Sequence, residues 1–291
     1  MQANTKGLEP EEGIEDDEFY RNKRNGSDSD KNAGAYLSMV DLHIHILPGV
    51  DDGARDYGDS IHMAAIALDC GVDTIVATPH ANQMGRFENF WSETMHERFQ
   101  KLRAIIREEQ LPVRILTGME IMASNDMKEK VRDGRLIGLN HTDRYLVEFP
   151  FDAPPEWIRL RLRDLLDLGK TPLVAHVERY YCVQDEPLLV ADWLMMGCYT
   201  QINKGSIDGR FGTHAKQAAM YVLDHDFITC VASDAHRPYV RTPWMGGTQE
   251  ILARRYGEEH MLDLCERNPR RIIAGKSVPR HGIQRSPVFD D

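Results

Sequence analysis

The sequence predicts an α/β protein in which seven successive strand and helix units form one parallel barrel. Short apolar runs rich in β-branched and aromatic residues alternate with longer amphipathic segments along most of the chain. No change of composition divides this alternation, and no glycine-rich dinucleotide or phosphate-binding loop follows the first strand. A barrel is therefore favoured over an open doubly wound sheet, and 291 residues with 42% hydrophobic content can build its core.

Each unit is predicted from its own local pattern. The strand candidates are residues 40–46, 74–77, 113–117, 145–147, 172–175, 199–202 and 228–232. The helix candidates are residues 60–69, 90–109, 126–133, 157–168, 186–196 and 214–225, with 247–256 and 258–267 after the last strand. The expected single domain spans residues 38–278. It is flanked by an acidic segment, 1–37, for which we expect disorder, and by a C-terminal tail, 279–291.

Composition excludes several classes of function. The net charge of -11 repels polyanions, so a general nucleic-acid binder is not expected. The five cysteines are odd in number and widely spaced, which indicates reduced thiols and a cytoplasmic location rather than a disulfide framework. No apolar run reaches the roughly 20 residues that span a bilayer, so membrane insertion is not expected.

Metal-capable side chains mark the ends of six of the seven predicted strands. In a parallel barrel all strands open onto the same face at their C-terminal ends, so these groups are expected to converge. His43 and His45, two residues apart on an extended chain, point the same way and can chelate one ion. Imidazoles and carboxylates without thiolates suit manganese, zinc or iron. The strand-end groups are Asp41, His43, His45, His80, Glu120, Glu148, His176, Asp234 and His236.

Further charged residues lie near the same rim. The loop after the first strand carries Asp51 and Asp52; a simple turn is the competing interpretation, and Asp52 is the stronger ligand candidate. Arg179 and Arg241 follow the fifth and seventh strand ends, where a guanidinium can clamp phosphate oxygens, although surface salt bridges are the alternative. Glu178 is expected to orient a neighbouring group. Together these residues predict metal-dependent hydrolysis of a phosphoester.

A side-chain nucleophile is not expected. Residues 265–271 match the spacing Cys-x5-Arg, but this stretch is bulky and has a helical pattern, whereas a phosphate-cradling loop needs small residues. No Gly-x-Ser-x-Gly nucleophile elbow occurs either. A metal-activated hydroxide is the remaining nucleophile.

Several short motifs occur together along the chain. They are Asp-Leu-His-Ile-His at 41–45, Thr-Pro-His at 78–80, Glu120, His-Val-Glu-Arg at 176–179 and Ser-Asp-Ala-His at 233–236. As a set they resemble the polymerase and histidinol phosphatase (PHP) superfamily. Within it, His-Ile-Leu-Pro-Gly-Val-Asp-Asp-Gly at 45–53 is similar to the CpsB/CapC type of bacterial tyrosine-protein phosphatase. The resemblance covers roughly residues 39–278.

This resemblance implies a distorted (β/α)7 TIM-like barrel with a typically manganese-dependent site for three ions, zinc and iron being alternatives. It also implies hydrolysis of phosphotyrosine on the tail of a membrane-associated bacterial tyrosine kinase that regulates capsular or exopolysaccharide synthesis. Arg179 and Arg241 are then the phosphate-binding catalytic residues. The implied metal ligands are His43, His45, Asp52, His80, Glu120, Glu148, His176, Asp234 and His236.

Alternatives remain open at this point. The superfamily motifs also suit a small-molecule phosphatase acting on histidinol phosphate, although the Asp51-Asp52-Gly53 loop favours phosphotyrosine. An exonuclease or polymerase-associated domain is disfavoured by the acidic composition. A catalytically inactive metal-binding scaffold is a further alternative, which the complete ligand set disfavours. Residues 201–209 also resemble the sixth-strand segment of the family, apart from Lys204, which is expected to add positive charge near the site.

Overall fold

The computed structural model describes residues 38–279. The predicted disordered segment 1–37 lies outside the described residues, as do residues 280–291 of the predicted C-terminal tail. Within residues 38–279, none of the helices combines the length and apolar character needed to cross a bilayer.

Strands and helices alternate along the chain as predicted. The strands are β1 Met39–Ile44, β2 Val72–Ala77, β3 His80–Ala81, β4 Arg114–Thr117, β5 Glu120–Met122, β6 Arg144–Glu148, β7 Thr171–Val174, β8 Tyr199–Asn203 and β9 Cys230–Ala232. The α-helices are α1 Tyr57–Asp69, α2 Glu93–Glu108, α3 Met127–Arg132, α4 Pro155–Leu166, α5 Tyr181–Asp185, α6 Leu189–Met196, α7 Lys204–Ile207, α8 Thr213–Asp224, α9 Gly246–Tyr256, α10 Glu258–Leu262 and α11 Asn268–Ile273. Short 3-10 helices span Leu139–His141 and Val177–Arg179, and a π-helical turn spans Asp263–Arg267.

The strands make seven barrel positions, because β2 runs on into β3 and β4 into β5. Neighbouring strands pair in the orders β1-β2-β4 and β3-β5-β6-β7-β8-β9, and every pair is parallel. The circle closes after β9, where Ala235 bridges Ile44 and the Asp234 N–H donates to the His43 carbonyl at 2.8 Å. The predicted seven-unit α/β barrel is confirmed.

The second and third barrel positions are interrupted for identifiable reasons. Pro79 has no N–H to donate to the ladder, and the Thr78 hydroxyl accepts a hydrogen bond from the backbone of β1 at 3.0 Å. Gly118 approaches β2 so closely that a Cβ there would lie 2.8 Å from a valine methyl carbon. These interruptions lie directly before His80 and Glu120, the residues that the two strands carry into the site.

A bulge in β1 aims its two histidines inward. The β1–β2 register shifts between Asp41 and Ile44. Leu42 therefore packs inside the barrel and Ile44 on the outside, although strict alternation would place them on one face. The same shift directs His43 and His45 toward the C-terminal mouth.

The barrel interior below the mouth is apolar. α11 covers its N-terminal end, where Arg270 donates to the Ser38 carbonyl at 2.6 Å. This inner group is distinct from the larger apolar layer between strands and helices. Its buried members are Val40, Leu42, Val76, Leu139, Leu146, Leu173, Ala175, Tyr199, Cys230, Ile272, Ile273 and Val278.

Helix boundaries differ from the predicted ones where local chemistry sets them. The predicted helix 90–109 begins at Glu93, because the Ser92 hydroxyl accepts from the Met95 N–H at 3.3 Å and caps its first turn. The predicted helix 186–196 is shortened to α6, and Pro187 separates it from α5. The predicted helix 258–267 is α10 followed by the π-helical turn.

The inner apolar group predicts a large stability difference between two leucines. Leu146 in β6 is fully buried, so Leu146→Ala is expected to lower the free energy of unfolding by about 2–5 kcal/mol through the cavity it leaves. Leu160 in α4 is 52% exposed, and Leu160→Ala is the matched control, with an expected change within about 0.5 kcal/mol. Equal losses in chemical denaturation would contradict this assignment of the interior.

Candidate metal centre

The predicted ligands converge at the C-terminal mouth of the barrel. Eight of the nine form three groups whose ligand atoms lie within 4.8 Å of one another. The ninth, His176, lies beside them with its Nε2 2.8 Å from Glu120 Oε1. The groups are His45, Asp52, His80 and His236; His43, His45 and Asp234; and His80, Glu120 and Glu148.

Hydrogen bonds fix the tautomers of His43 in β1 and of His45 directly after it. Gln201 Oε1 accepts from the His176 N–H at 3.0 Å and lies 3.1 Å from His43 Nδ1, so this ring nitrogen carries the proton. His45 Nδ1 donates to Asp51 Oδ2 at 2.8 Å. In the neutral rings both Nε2 atoms are therefore bare, and they face each other 3.3 Å apart.

Two carboxylates complete this arrangement. Glu120 Oε1 lies 3.1 Å from His43 Nε2, and Glu120 Oε2 lies 3.2 Å from His45 Nε2. Asp234 Oδ1 lies 3.5 Å and 3.4 Å from the same two nitrogens. All four side chains are buried, so lone pairs face one another without water to screen them. Such a set needs positive charge among its atoms, which either protons or divalent metal ions can supply.

Asp52 and Asp51 have different surroundings. Asp52 Oδ1 is buried without a hydrogen-bond partner, 3.5 Å from His80 Nε2 and 3.6 Å from His236 Nε2. This orphaned oxygen fits a metal ligand. Asp51 instead supports His45, and its Oδ2 also accepts from the His80 N–H at 2.9 Å. A carboxylate behind a ligating imidazole holds the ring orientation and raises its basicity.

The third group lies on the β5–β6 side of the mouth. His80 Nδ1 lies 2.9 Å from Glu120 Oε2 and 3.1 Å from Glu148 Oε1. His80 thus belongs to two groups through opposite ring nitrogens. Gln83 donates to Glu148 Oε1 at 2.6 Å and holds that carboxylate in place.

Electrostatics shift neighbouring groups in opposite directions. Burial disfavours a charged His80 ring, but Glu120 and Glu148 outweigh burial and raise its pKa to about 10. At His236, burial and the charge of His45 lower the pKa to about 2. Burial favours the neutral acid at Asp51, yet its pairing with His45 lowers that pKa to about 2. The carboxylates thus attract positive charge into the cluster, and protons compete there with metal ions.

Three residues of this mouth hold left-handed backbone conformations. The φ angles are +34° at His176, +49° at Asp234 and +52° at Arg241. Non-glycine residues adopt this region at a cost, and they persist there when surrounding contacts fix them. All three therefore depend on the hydrogen bonds of the site for their orientation.

A cleft of about 260 Å³ opens over the cluster. One wall is apolar and consists of Met122, Phe149, Pro150 and Phe151. The predicted arginines, Arg179 and Arg241, also line it.

Phe211 arranges the two arginines. The Arg179 guanidinium carbon lies 4.4 Å from the ring centroids of both Phe151 and Phe211, and that of Arg241 lies 5.6 Å from Phe211. Gly205 makes room for this ring, because a Cβ at that position would lie 2.9 Å from Phe211 Cε2. Both guanidinium groups also approach Asp234 Oδ2. This geometry gives the cleft two oriented, positively charged forks that suit a phosphate.

Known proteins share the sequence motifs and the fold of this chain. Residues 39–274 match the family model described as capsular polysaccharide synthesis, CpsB/CapC. The chain belongs to the CpsB/CapC family. It is 33% identical to the tyrosine-protein phosphatase YwqE of Bacillus subtilis, over 86% of this chain and 99% of that protein. It is 35% identical to the tyrosine-protein phosphatase CpsB of Streptococcus pneumoniae, over 82% and 100%.

A solved structure of this CpsB/CapC type has the same fold. It belongs to a study of YwqE and CpsB, described as metal-dependent tyrosine phosphatases, and it superposes with a TM-score of 0.77 at 32% identity. The match covers 83% of this chain and 97% of that one.

Sequence reasoning missed the amides of the sixth barrel strand in this CpsB/CapC chain. β8 ends on no metal-capable residue, but its inward side chains Gln201 and Asn203 hold His43 and Asp234. Glu178, predicted to orient a neighbour, accepts from the Asn203 N–H at 3.0 Å and from the Ser206 hydroxyl. The signal was present as the alternation Gln-x-Asn at a strand end, which directs two amides to one face.

Lys204 does not act as predicted. Its Nζ donates to the Trp244 carbonyl at 2.7 Å, and the residue does not line the cleft. Burial lowers its pKa. The side chain therefore fastens the loop after β9 to α7 rather than adding charge at the mouth.

Competition with protons predicts that metal affinity falls as pH falls. His80 must lose its proton to bind an ion, and its pKa of about 10 means that it is protonated throughout the neutral range without one. The expected affinity for Mn²⁺, measured by calorimetry between about pH 6 and about pH 8, rises roughly tenfold per pH unit for each proton displaced. His62→Asn, at an exposed position in α1, is the control and should leave this slope unchanged. A pH-independent affinity would contradict the prediction.

The contact between Gly205 and Phe211 predicts coupled effects on anion binding. Gly205→Ala and Phe211→Ala should each weaken the binding of inorganic phosphate by roughly tenfold, because each disturbs the arginines. The double variant should be no weaker than Phe211→Ala alone, since the added Cβ then meets no ring. Phe211→Tyr should restore binding. Additive losses in calorimetry would contradict a path through the ring.

Proposed function

We propose that this chain is a metal-dependent protein-tyrosine phosphatase. The observation that carries the proposal is the joint placement of the buried imidazole and carboxylate cluster, two oriented arginines and an apolar wall around one cleft. The wall suits the aryl ring of phosphotyrosine, and the arginines suit its phosphate. The names of the CpsB/CapC relatives support the same activity.

The proposed metal ligands are the nine predicted residues. Support comes from the three groups of ligand atoms and from the orphaned oxygen of Asp52. Three groups suit up to three ions, and a mixed imidazole and carboxylate set suits Mn²⁺, with zinc or iron as substitutes. The proposed ligands are His43, His45, Asp52, His80, Glu120, Glu148, His176, Asp234 and His236.

The side chains of the cleft perform the remaining tasks. Bound divalent ions supply an activated water nucleophile and neutralise developing charge. Arg179 and Arg241 bind the non-bridging phosphate oxygens, and Phe211 keeps their planes oriented before the substrate arrives. Met122 and Phe151 contact the aryl ring and exclude bulk water from the phosphate. A phenolate is a good leaving group, so general acid help matters little.

The proposed substrate is the phosphotyrosine tail of a membrane-associated bacterial tyrosine kinase that regulates capsular or exopolysaccharide synthesis. The family description, which refers to capsular polysaccharide synthesis, supports this assignment. The proposed location is the cytoplasm, supported by five cysteines none of which forms a disulfide within residues 38–279. The catalytic domain is proposed to span residues 38–278, between the tails 1–37 and 279–291.

Hydrolysis of two phosphate esters tests the proposal. The full chain loaded with Mn²⁺ is expected to hydrolyse a phosphotyrosyl peptide with a kcat/KM at least roughly a hundredfold above that for histidinol phosphate, because the apolar wall matches an aryl ring.

Removal of metal with a chelator should abolish the activity, and added Mn²⁺ should restore it. Arg132→Lys, at an exposed position in α3, controls for nonspecific loss, while Arg179→Lys should lower the rate by roughly 100-fold. Preference for histidinol phosphate, or activity that survives complete metal removal, would refute the proposal.

A further inference from the structure

The most exposed apolar side chains of the described residues are sequence neighbours of residues that line the cleft. Met84, Tyr239 and Val240 are 82%, 80% and 67% exposed, more than any other large hydrophobic residue between positions 38 and 279. Met84 lies between two cleft-lining residues, and Val240 precedes cleft-lining Arg241. Scattered surface hydrophobics are ordinary, but their concentration at one opening indicates a contact surface.

Met84 is held at the tip of a small hairpin. Gln83 and Phe87 pair as an antiparallel bridge, with backbone hydrogen bonds of 3.0 Å and 2.9 Å in both directions. The Phe87 ring lies parallel to His80 at 5.5 Å, and the Arg86 guanidinium carbon lies 4.8 Å from the Phe87 centroid. The hairpin is thus fixed to the cluster of proposed metal ligands through Phe87 and His80. These contacts keep Met84 exposed to solvent at the hairpin tip.

The loop after β9 is fixed in a comparable way. The His236 N–H donates to the Arg241 carbonyl at 3.0 Å, which closes the loop that presents Tyr239 and Val240. Arg241 keeps a φ of +52° at the end of this loop. Both apolar tips therefore have a defined position relative to the phosphate-binding arginines.

The size of the cleft determines which part of a substrate contacts Met84, Tyr239 and Val240. Its volume of about 260 Å³ is below the roughly 300–1,000 Å³ of sites that enclose whole small molecules. One phosphorylated side chain fills such a space, and the residues on either side of it must remain outside, over the rim.

We propose that Met84, Arg86, Tyr239 and Val240 form a docking surface for the polypeptide on both sides of the phosphotyrosine. This inference rests on the proposed function and adds a sequence preference to it. The apolar tips favour apolar or aromatic residues next to the phosphotyrosine. The Arg86 side chain is 63% exposed and pairs with Asp52 Oδ2 at 3.0 Å. Where bound ions share the charge of Asp52, this guanidinium favours an acidic residue nearby.

Comparison of a peptide with a small aryl phosphate tests the surface. Met84→Ser and the double variant Tyr239→Ser/Val240→Ser, in the Mn²⁺-loaded full chain, are assayed on para-nitrophenyl phosphate and on two phosphotyrosyl peptides. One peptide has apolar residues beside the phosphotyrosine and the other has serines. Each variant should lose roughly tenfold in kcat/KM on the apolar peptide, and stay within about twofold of wild type on para-nitrophenyl phosphate.

Matched controls are available on the far side of the molecule. Leu160→Ser in α4 and Met195→Ser in α6 remove apolar side chains that are 52% and 59% exposed, and both should retain wild-type preference. Thermal unfolding verifies that every variant is folded.

Three outcomes would overturn the docking surface. The first is an unchanged peptide preference in the variants, and the second is an equal loss of kcat/KM on all three substrates. The third is that the variants keep the peptide preference but lose binding to anionic phosphatidylserine vesicles, which would indicate a membrane contact instead. A wild-type chain inactive on every phosphotyrosyl substrate would instead refute the proposed function, and the docking surface with it.

Discussion

Two bare imidazole nitrogens that face each other across 3.3 Å are the constraint on which the mouth of this barrel depends. In the neutral rings the protons of His43 and His45 are committed to Gln201 and Asp51, so the facing nitrogens then offer only lone pairs. Glu120 and Asp234 add negative charge at the same point. A buried group of this kind costs several kcal/mol unless cations occupy it. The arrangement is therefore favourable as a metal centre and unfavourable as part of a structural core.

The rest of the barrel keeps this unfavourable group together. The bulge in β1 aims both histidines inward, and the interruptions before His80 and Glu120 bring the next two strands into reach. Below the cluster an apolar group packs inside the barrel and is closed by α11, so stability is supplied at one end and chemistry at the other. The left-handed residues of the mouth can then be tolerated, because the packed end compensates for their strain.

The sequence was sufficient for the barrel and for the convergence of the proposed ligands, because both follow from periodicity and from parallel strand direction. Apart from Glu178, it was insufficient for residues that act through another one. The sequence favoured Asp52 over Asp51 as a ligand, but only the fold shows that Asp51 is the partner of His45 and that Asp52 has the orphaned oxygen near His80 and His236. Lys204 is adjacent to the site in sequence, yet its four-carbon chain extends to the Trp244 carbonyl. Such outcomes depend on side-chain direction, which patterns do not carry.

The arginines illustrate how an acidic protein can present positive charge to a phosphate. With a net charge of -11, long-range attraction works against an anionic substrate, so the attraction has to be local. An arginine oriented mainly by carboxylates would be neutralised by them. Here aromatic faces orient Arg179, and an aromatic face holds a guanidinium without cancelling its charge. The carboxylate that both arginines approach, Asp234, belongs to the proposed metal ligands, so bound ions would share its charge and leave the guanidinium groups free for phosphate oxygens.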